Sequence, residues 1–113
     1  MNNYELSKPK FKVRIDKADG RITIAGKIVI SGIKAKIQYF GGLMIGRRRY
    51  YVEKNKRGVF ISAMEAAAIV NDNRSGLGSS GMVTAPQALI DHMAEMPGAP
   101  VFAADLVNVC WPE

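Results

Sequence analysis

The first half of the chain alternates hydrophobic and polar residues in the manner of half-buried β-strands. Residues 10–16 alternate strictly, with aromatic and aliphatic side chains on one face and charged ones on the other, and a period of two is the period of a strand. Asp19 and Gly20 then predict a tight hairpin turn. Isoleucines continue the alternation over residues 22–30, where Gly26 indicates a bulge or bend in the return strand.

The same period of two continues toward the middle of the chain. It predicts a strand over residues 33–39 and another over 43–53, with a kink at Gly46. A turn over residues 54–58 then closes a hairpin onto a short strand at 59–61. The sequence therefore predicts a meander in which consecutive strands pair antiparallel.

The meander over residues 10–61 has one apolar face, and such a face needs a cover. Helices are predicted over 63–71 and 85–96, because each segment follows a capping box that satisfies free backbone N–H groups. The two boxes pair Ser62 with Glu65 and Thr84 with Gln87. The apolar tail 101–111 predicts a final strand, with a helical turn over 103–108 as the alternative. The predicted class is α+β: a four- to five-stranded antiparallel meander covered on one face by two helices and a C-terminal strand.

The domain organisation follows from length and from the segments without periodicity. Residues 1–9 are polar and are predicted to form a flexible N-terminal arm, and 10–113 are predicted to form a single domain. Residues 74–83 are rich in glycine and serine, which predicts a mobile surface loop. Residues 76–81 match a dinucleotide-binding glycine pattern, but a predicted helix precedes them where that fingerprint requires a strand. A flexible linker is the favoured interpretation.

No segment has the marks of export or membrane insertion. The first residues lack the apolar core of a signal peptide, and no stretch approaches the run of about 18 apolar residues that a membrane span needs. Cys110 is the one cysteine, which excludes an intramolecular disulfide and a multi-cysteine metal site. We therefore expect a cytoplasmic protein that uses no cofactor or metal.

No catalytic signature accompanies these elements. His92 is the sole histidine, and helical spacing predicts that it lies beside Asp91 and Glu95 on the exposed, acidic side of the second helix. Cys110 precedes a tryptophan in an apolar segment, which favours a core residue over a nucleophile. The sequence predicts a protein that is not an enzyme.

The charge of the chain is divided sharply between its halves. The formal net charge is +6, but residues 1–61 hold fifteen lysines and arginines against four acids, a net +11. Residues 62–113 hold one arginine against six acids, a net −5. Such asymmetry indicates an anionic partner for the first half, or a basic surface that meets the acidic half of a second copy. Solvated lysines that aid solubility are the alternative.

The strongest chemical signal is the basic and aromatic stretch 46–58, in which six of thirteen residues are Lys or Arg. In a strand, Arg47, Arg49 and Tyr51 share one face while Arg48 and Tyr50 share the other. Guanidinium groups bind phosphates and a tyrosine ring stacks on an unpaired base, so this composition indicates binding to single-stranded nucleic acid.

The predicted nucleic-acid-binding set joins this stretch to the lysine-bearing face of the earlier strands. Its members are Lys12, Arg14, Lys34, Lys36, Arg47, Arg48, Arg49, Tyr50, Tyr51, Lys54, Lys56 and Arg57. A small inhibitor or adaptor that docks the same basic face on an acidic partner protein is the alternative function.

The order of elements over residues 56–70 adds a resemblance to these chemical arguments. A basic meander, a Lys-Arg-Gly turn, a short strand and a Ser-capped helix follow one another. That order resembles the positive-coactivator family of single-stranded-DNA-binding domains over about half of the chain. The resemblance implies single-stranded DNA as a ligand, although the acidic second helix and the apolar tail depart from the pattern.

Two free sheet edges and the divided charge together predict a homodimer. The apolar tail 101–111 is the expected interface, as a strand that pairs with or crosses into the partner. Its contact residues are predicted to be Val107, Val109 and Trp111, with the tryptophan as the anchor.

Overall fold

Among the described residues, strands predominate in the first half of the chain and helices in the second. The structure is a computed structural model that describes residues 6–16, 18, 20–30, 35–37, 42–45, 48–73 and 83–111, with the backbone alone for 35–37 and 83. The strands are β1 Pro9–Asp16, β2 Arg21–Ile24, β3 Ile28–Ile30, β4 Ala35–Ile37, β5 Gly42–Ile45, β6 Arg48–Tyr51, β7 Glu53–Asn55, β8 Gly58–Ser62 and β9 Val83–Thr84. The helices are α1 Ala63–Asp72, α2 Gln87–Glu95 and α3 Ala103–Cys110.

The strands form two antiparallel sheets. The large sheet has the order β7-β8-β1-β2-β3-β9, and the small sheet has the order β4-β5-β6. The predicted α+β class with an antiparallel sheet is confirmed. The single meander is wrong in detail, because the chain leaves the large sheet after β3, builds the small sheet, and returns to pair β8 with the opposite side of β1.

The segment predicted as one return strand over 22–30 is a hairpin of two strands. Ile24 pairs with Ile28 across the turn, and Lys27 N donates to Ile24 O at 3.0 Å. Ala25 and Gly26 have φ of 51° and 71°, the left-handed region that reverses a hairpin. Gly26 therefore marks a chain reversal, where the alternation of isoleucines alone predicted only a bend.

The strand predicted over 43–53 is divided in the same way. β5 and β6 pair antiparallel, with Leu43 opposite Tyr50, and β7 belongs to the large sheet. Residues 46 and 47, where a kink was predicted, lie outside the described part of the chain. Continuous alternation across a turn does not reveal the turn, because both strands turn the same face toward the core.

One hydrophobic core fills the space between the inner faces of both sheets and the helices. α1 packs on β1, β6 and β8, and α3 packs on α1 and α2. The largest fully buried side chains are Ile22, Ile24, Ile28, Ile30, Leu43, Val52, Ile61, Ile69, Val70, Leu89 and Leu106. Because both sheets give their inner faces to this core, their other faces are left to solvent.

The two predicted capping boxes have different outcomes. Ser62 Oγ accepts a hydrogen bond from Glu65 N at 3.1 Å, which confirms the start of α1. The second box is wrong, because α2 begins after Pro86 without a side-chain cap. Thr84 instead lies in β9 and pairs with Val29 of β3. Residues 74–82, most of the predicted mobile loop, lie outside the described residues.

The C-terminal segment is a helix, so the prediction of a strand over 101–111 is wrong. Asp105 accepts from Phe102 N at 3.3 Å in the first turn of α3, and Leu106 and Cys110 are buried one helical turn apart. The helical alternative therefore holds and extends to Cys110. Packing of this face outweighs the β-branched residues that favoured a strand.

The side chain of Asn71 fixes the chain just before α3. Its Nδ2 donates to Val101 O at 2.8 Å, and its Oδ1 accepts from Val101 N at 2.9 Å. Both hydrogen-bonding groups of one buried backbone residue are thus satisfied by a residue thirty positions earlier. This clamp ties the C-terminal helix to the end of α1.

Trp111 packs against the hydrophobic core of its own chain. Its ring stacks on Phe11 of β1, with centroids 4.1 Å apart and planes 23° apart. Val109 also packs against the core, while Val107 is half-buried on α3. The pairing strand predicted for this interface is therefore wrong, because residues 103–110 form a helix, while Val107, Val109 and Trp111 as contact residues of a dimer stay a prediction. The homodimer itself stays a prediction.

The N-terminal side of the chain also contributes to packing. Leu6, within the segment predicted as an arm, is buried against α1 and the residues before α3, and β1 begins at Pro9. Residues 1–5 lie outside the described part. None of the helices that the structure describes is long and apolar enough to cross a membrane.

The Phe11–Trp111 stack predicts a clear effect on stability. Trp111→Ala should lower the free energy of unfolding by about 2–3 kcal/mol, because the ring is partly rather than fully buried. Phe102→Ala is the matched control, since that ring is 63% exposed; it should change stability by less than about 0.5 kcal/mol. Urea titration followed by circular dichroism measures both values, and equal losses would contradict the assignment.

Candidate nucleic-acid interface

The solvent-facing side of the large sheet carries cations beside a partly exposed aromatic ring. Lys12 and Arg14 alternate with buried positions of β1 and are exposed. Lys12 pairs with Phe60 of β8, and Phe60 pairs with Glu53 of β7. Opposite residues in adjacent strands turn their side chains to the same face. Glu53, Phe60 and Lys12 therefore form a row across three strands.

The segment from β6 to β7 joins this row to the small sheet. Tyr50 is 3% exposed, Tyr51 is 58% exposed and Val52 is 1% exposed, and Glu53 is exposed again. This alternation places Arg49, Tyr51 and Glu53 on one side of the segment. We call the resulting surface the outer face. Its residues are Lys12, Arg14, Arg49, Tyr51, Glu53 and Phe60.

Arg49 lies across the neighbouring strand over Gly42. A Cβ at Gly42 would come 2.4 Å from Arg49 Nε, so only glycine leaves room for the guanidinium in this position. Gly42 is also the register partner of Tyr51. Arg49 and Tyr51 therefore share the side of β6 that faces this glycine. Lys36 pairs with Met44, which pairs with Arg49, so the backbone of Lys36 is in the same row.

Tyr50 and Arg48 belong to the opposite side of β6, where they bind α1. The Tyr50 hydroxyl donates to Asp72 Oδ2, and Arg48 Nη1 donates to Asp72 Oδ1 at 2.9 Å. The Arg48 guanidinium also lies 5.8 Å from the centre of the Tyr50 ring. Tyr50 as a base-stacking residue is therefore wrong, because its ring is in the core and its hydroxyl is used to hold the end of α1.

Burial raises the pKa of the Tyr50 hydroxyl, and the hydrogen bond to Asp72 and the negative charge of that carboxylate act in the same direction. The folded protein thus favours the neutral phenol. The carboxylate in turn is held by one cation and one neutral donor at the last residue of α1.

The turn of the β7–β8 hairpin places further cations beside the outer face, whereas Lys54 is opposite the core-packed Val59 and therefore lies on the other side of the hairpin. Lys54, Lys56 and Arg57 are exposed, and Arg57 N donates to Asn55 Oδ1 at 2.7 Å, which tightens the turn. A Cβ at Gly58 would lie 3.1 Å from Lys12 Cε. The Lys12 side chain therefore reaches toward this hairpin.

The predicted nucleic-acid-binding residues divide into three groups. Those on the outer face or its adjoining hairpin are Lys12, Arg14, Arg49, Tyr51, Lys54, Lys56 and Arg57. Arg48 and Tyr50 face α1 instead. Lys34 and Arg47 lie outside the described residues, and Lys36 is described by its backbone only.

Two residues of the outer face were missed from sequence, Phe60 and Glu53. Alternation within 59–61 was a usable signal for Phe60, because Val59 packs against the core and Ile61 is fully buried. Glu53 was treated as the end of a strand, and its place beside Phe60 depends on the hairpin register.

Cys110 and His92, the two side chains considered for catalysis, both pack against other parts of the fold. Cys110 is buried as predicted, and burial raises the pKa of its thiol. His92 does not lie on the exposed side of α2: it faces α3, with Nε2 at 3.8 Å from Asp105 Oδ2. Within the described residues, no group of three or more His, Cys, Asp or Glu side chains is arranged to hold a metal ion.

Comparison of the chain with protein-family models, with curated proteins and with solved structures gave no match. The resemblance in element order over residues 56–70 gains no support from these comparisons. The candidate interface therefore rests on its own geometry.

The Tyr50–Asp72 contact predicts a loss of stability at alkaline pH. Because the folded pKa of Tyr50 is raised, its contribution is full below the unfolded value of about 10 and is lost as pH rises toward the folded pKa. Tyr50→Phe should remove this part of the alkaline slope. It should also cost about 1–2 kcal/mol at neutral pH, because Asp72 loses a donor.

Urea unfolding at a series of pH values from neutral to strongly alkaline measures both effects. Tyr51→Phe is the matched control, because it removes an exposed phenol from the next residue and should leave the Tyr50 slope in place. Identical pH profiles for the wild type and Tyr50→Phe would contradict the role given to this hydrogen bond.

Proposed function

We propose that the protein binds single-stranded nucleic acid on its outer face. The observation that carries the proposal is the contrast between two adjacent tyrosines: Tyr50 is 3% exposed, whereas Tyr51 is 58% exposed on the same side of β6 as Arg49. A large aromatic ring left in solvent on a surface that also carries arginine is the combination that single-strand-binding surfaces use.

The arrangement of charges supports the same ligand. Lys12, Arg14 and Arg49 lie on strands of both sheets, and Lys56 and Arg57 add two exposed cations in the β7–β8 turn. Phosphates spaced along an extended strand would meet several of these cations at once, with release of counterions. The rings of Tyr51 and Phe60 would meanwhile offer stacking surfaces for bases.

The shape of the surface favours single strands over duplex. A duplex is read by an element that enters a groove, usually a helix. The basic residues of the outer face lie on strands, while the described surfaces of α1, α2 and α3 carry the acids Glu65, Asp72, Asp91, Glu95 and Asp105. Unpaired bases need only a sheet on which they can stack.

Arg49→Ala and Arg48→Ala each remove one positive charge, but from opposite sides of β6. Arg49→Ala should weaken binding to an unstructured DNA or RNA oligonucleotide about fivefold or more and reduce the slope of log affinity against log salt by about 0.7. Arg48→Ala removes the same charge from the side of β6 that faces Asp72. It should weaken binding less and leave the slope near that of the wild type.

Tyr51→Ala should weaken binding by about 1–3 kcal/mol with little change in salt slope, because stacking rather than charge is lost. Fluorescence anisotropy at several salt concentrations measures these quantities. Phe102→Ala, which removes an exposed ring near α3, is the control for loss of any surface aromatic. Absence of binding to DNA and RNA even at low salt would reject the proposal and favour an acidic protein as the partner of the basic face.

A further inference from the structure

Glu53 is an acid in the middle of a basic surface. It lies between Tyr51, two positions earlier on the same side of the chain, and Phe60, directly opposite on β8. Among the described residues, the other acid on this side of the large sheet is Asp16, which accepts a hydrogen bond from Ala18 N at 3.0 Å and pairs in register with Arg21. Glu53 takes part in neither of the salt bridges found among the described residues.

An acid at position 53 lowers the affinity of the surrounding surface for phosphates. A carboxylate repels the phosphate backbone, so it lowers the affinity that Lys12 and Arg49 provide. The carboxylate accepts hydrogen bonds and donates none. A group that weakens backbone binding but accepts hydrogen bonds is suited to contact the donor edge of a base.

The neighbouring rings set where such a base would lie. Cβ atoms of directly opposite residues are about 5 Å apart, and residues two apart on a strand are about 7 Å apart. A base stacked on Tyr51 or Phe60 therefore brings its edge within reach of the flexible Glu53 side chain. Stacking holds the face of the base, while the carboxylate meets its edge.

Resting on the proposed function, we infer that Glu53 selects guanine in a single strand. The Watson–Crick edge of guanine presents two adjacent donors, N1–H and the 2-amino group, which match the two oxygens of one carboxylate in a bidentate contact. Adenine and cytosine present one amino donor next to an acceptor nitrogen. Thymine and uracil present one N–H between two carbonyl oxygens, which a carboxylate repels.

The test uses a short oligothymidine that carries one variable base at its centre: guanine, hypoxanthine, adenine or thymine. Hypoxanthine is guanine without the 2-amino group, so it isolates the second hydrogen bond. Fluorescence anisotropy on the full chain should give guanine an affinity about tenfold above thymine, with hypoxanthine between them. Glu53→Gln should reduce the preference for guanine to about twofold or less while binding to the all-thymine strand is kept or improved.

Asp16→Asn is the matched control, because it removes one negative charge from the same side of the sheet and keeps the oxygen that accepts from Ala18. It should raise affinity for every strand and leave the preference for guanine intact. Circular dichroism verifies that both variants are folded.

The outcomes separate this inference from the proposed function. Binding of all four strands with equal affinity overturns the role of Glu53 and leaves single-strand binding in place. A preference for guanine that survives Glu53→Gln shows that another residue reads the base, and likewise overturns the inference. No binding to any of the four strands overturns both.

Discussion

The burial of Val52 determines the arrangement of the surface around it. This residue lies between β6 and β7, where the chain passes from the small sheet to the large one, and it is 1% exposed. Since side chains in extended chain alternate, an inward Val52 requires Tyr51 and Glu53 to face outward. A shift of one residue would bury Tyr51 and expose Tyr50. The burial of Val52 thus determines which side chains of this segment belong to the outer face.

Residues of the basic stretch have different roles on the two sides of β6. On the inner side, Tyr50 and Arg48 hold Asp72 and so attach the end of α1 to the small sheet. On the outer side, Arg49 and Tyr51 meet solvent. A run of basic and aromatic residues therefore supplies both a structural clamp and a candidate binding surface. Substitution of the whole run would alter stability and binding together, so their separate effects could not be distinguished.

Local patterns were sufficient to predict the class of fold and much of the outer face. Strict alternation in β1 places Lys12 and Arg14 in solvent, and Ser62 with Glu65 marks the start of α1. The same alternation could not distinguish Tyr50 from Tyr51, because the side of a strand that faces the core depends on what packs there. Trp111 was assigned to a partner because its contact, Phe11, is a hundred residues away in sequence.

The charge asymmetry of the sequence has a spatial counterpart in the fold. In the part of the chain that the structure describes, the acids of the second half lie on the helices, and most cations lie on strands, so the two signs are largely separated in space. A polyanion that approaches such a molecule is directed toward the strands. This long-range effect needs no specific contact, whereas the stacking and edge contacts proposed for Tyr51, Phe60 and Glu53 do.

The most direct measurement is a titration of isotope-labelled protein with an unstructured single strand, followed by amide chemical shifts. The largest changes should fall on the β7–β8 hairpin and on residues of the outer face, Lys12, Arg14, Arg49, Tyr51, Glu53 and Phe60. Amides of α1, α2 and α3 should change little. Changes centred on the helices, or no changes at low salt, would contradict the central claim that the outer face is a nucleic-acid-binding surface.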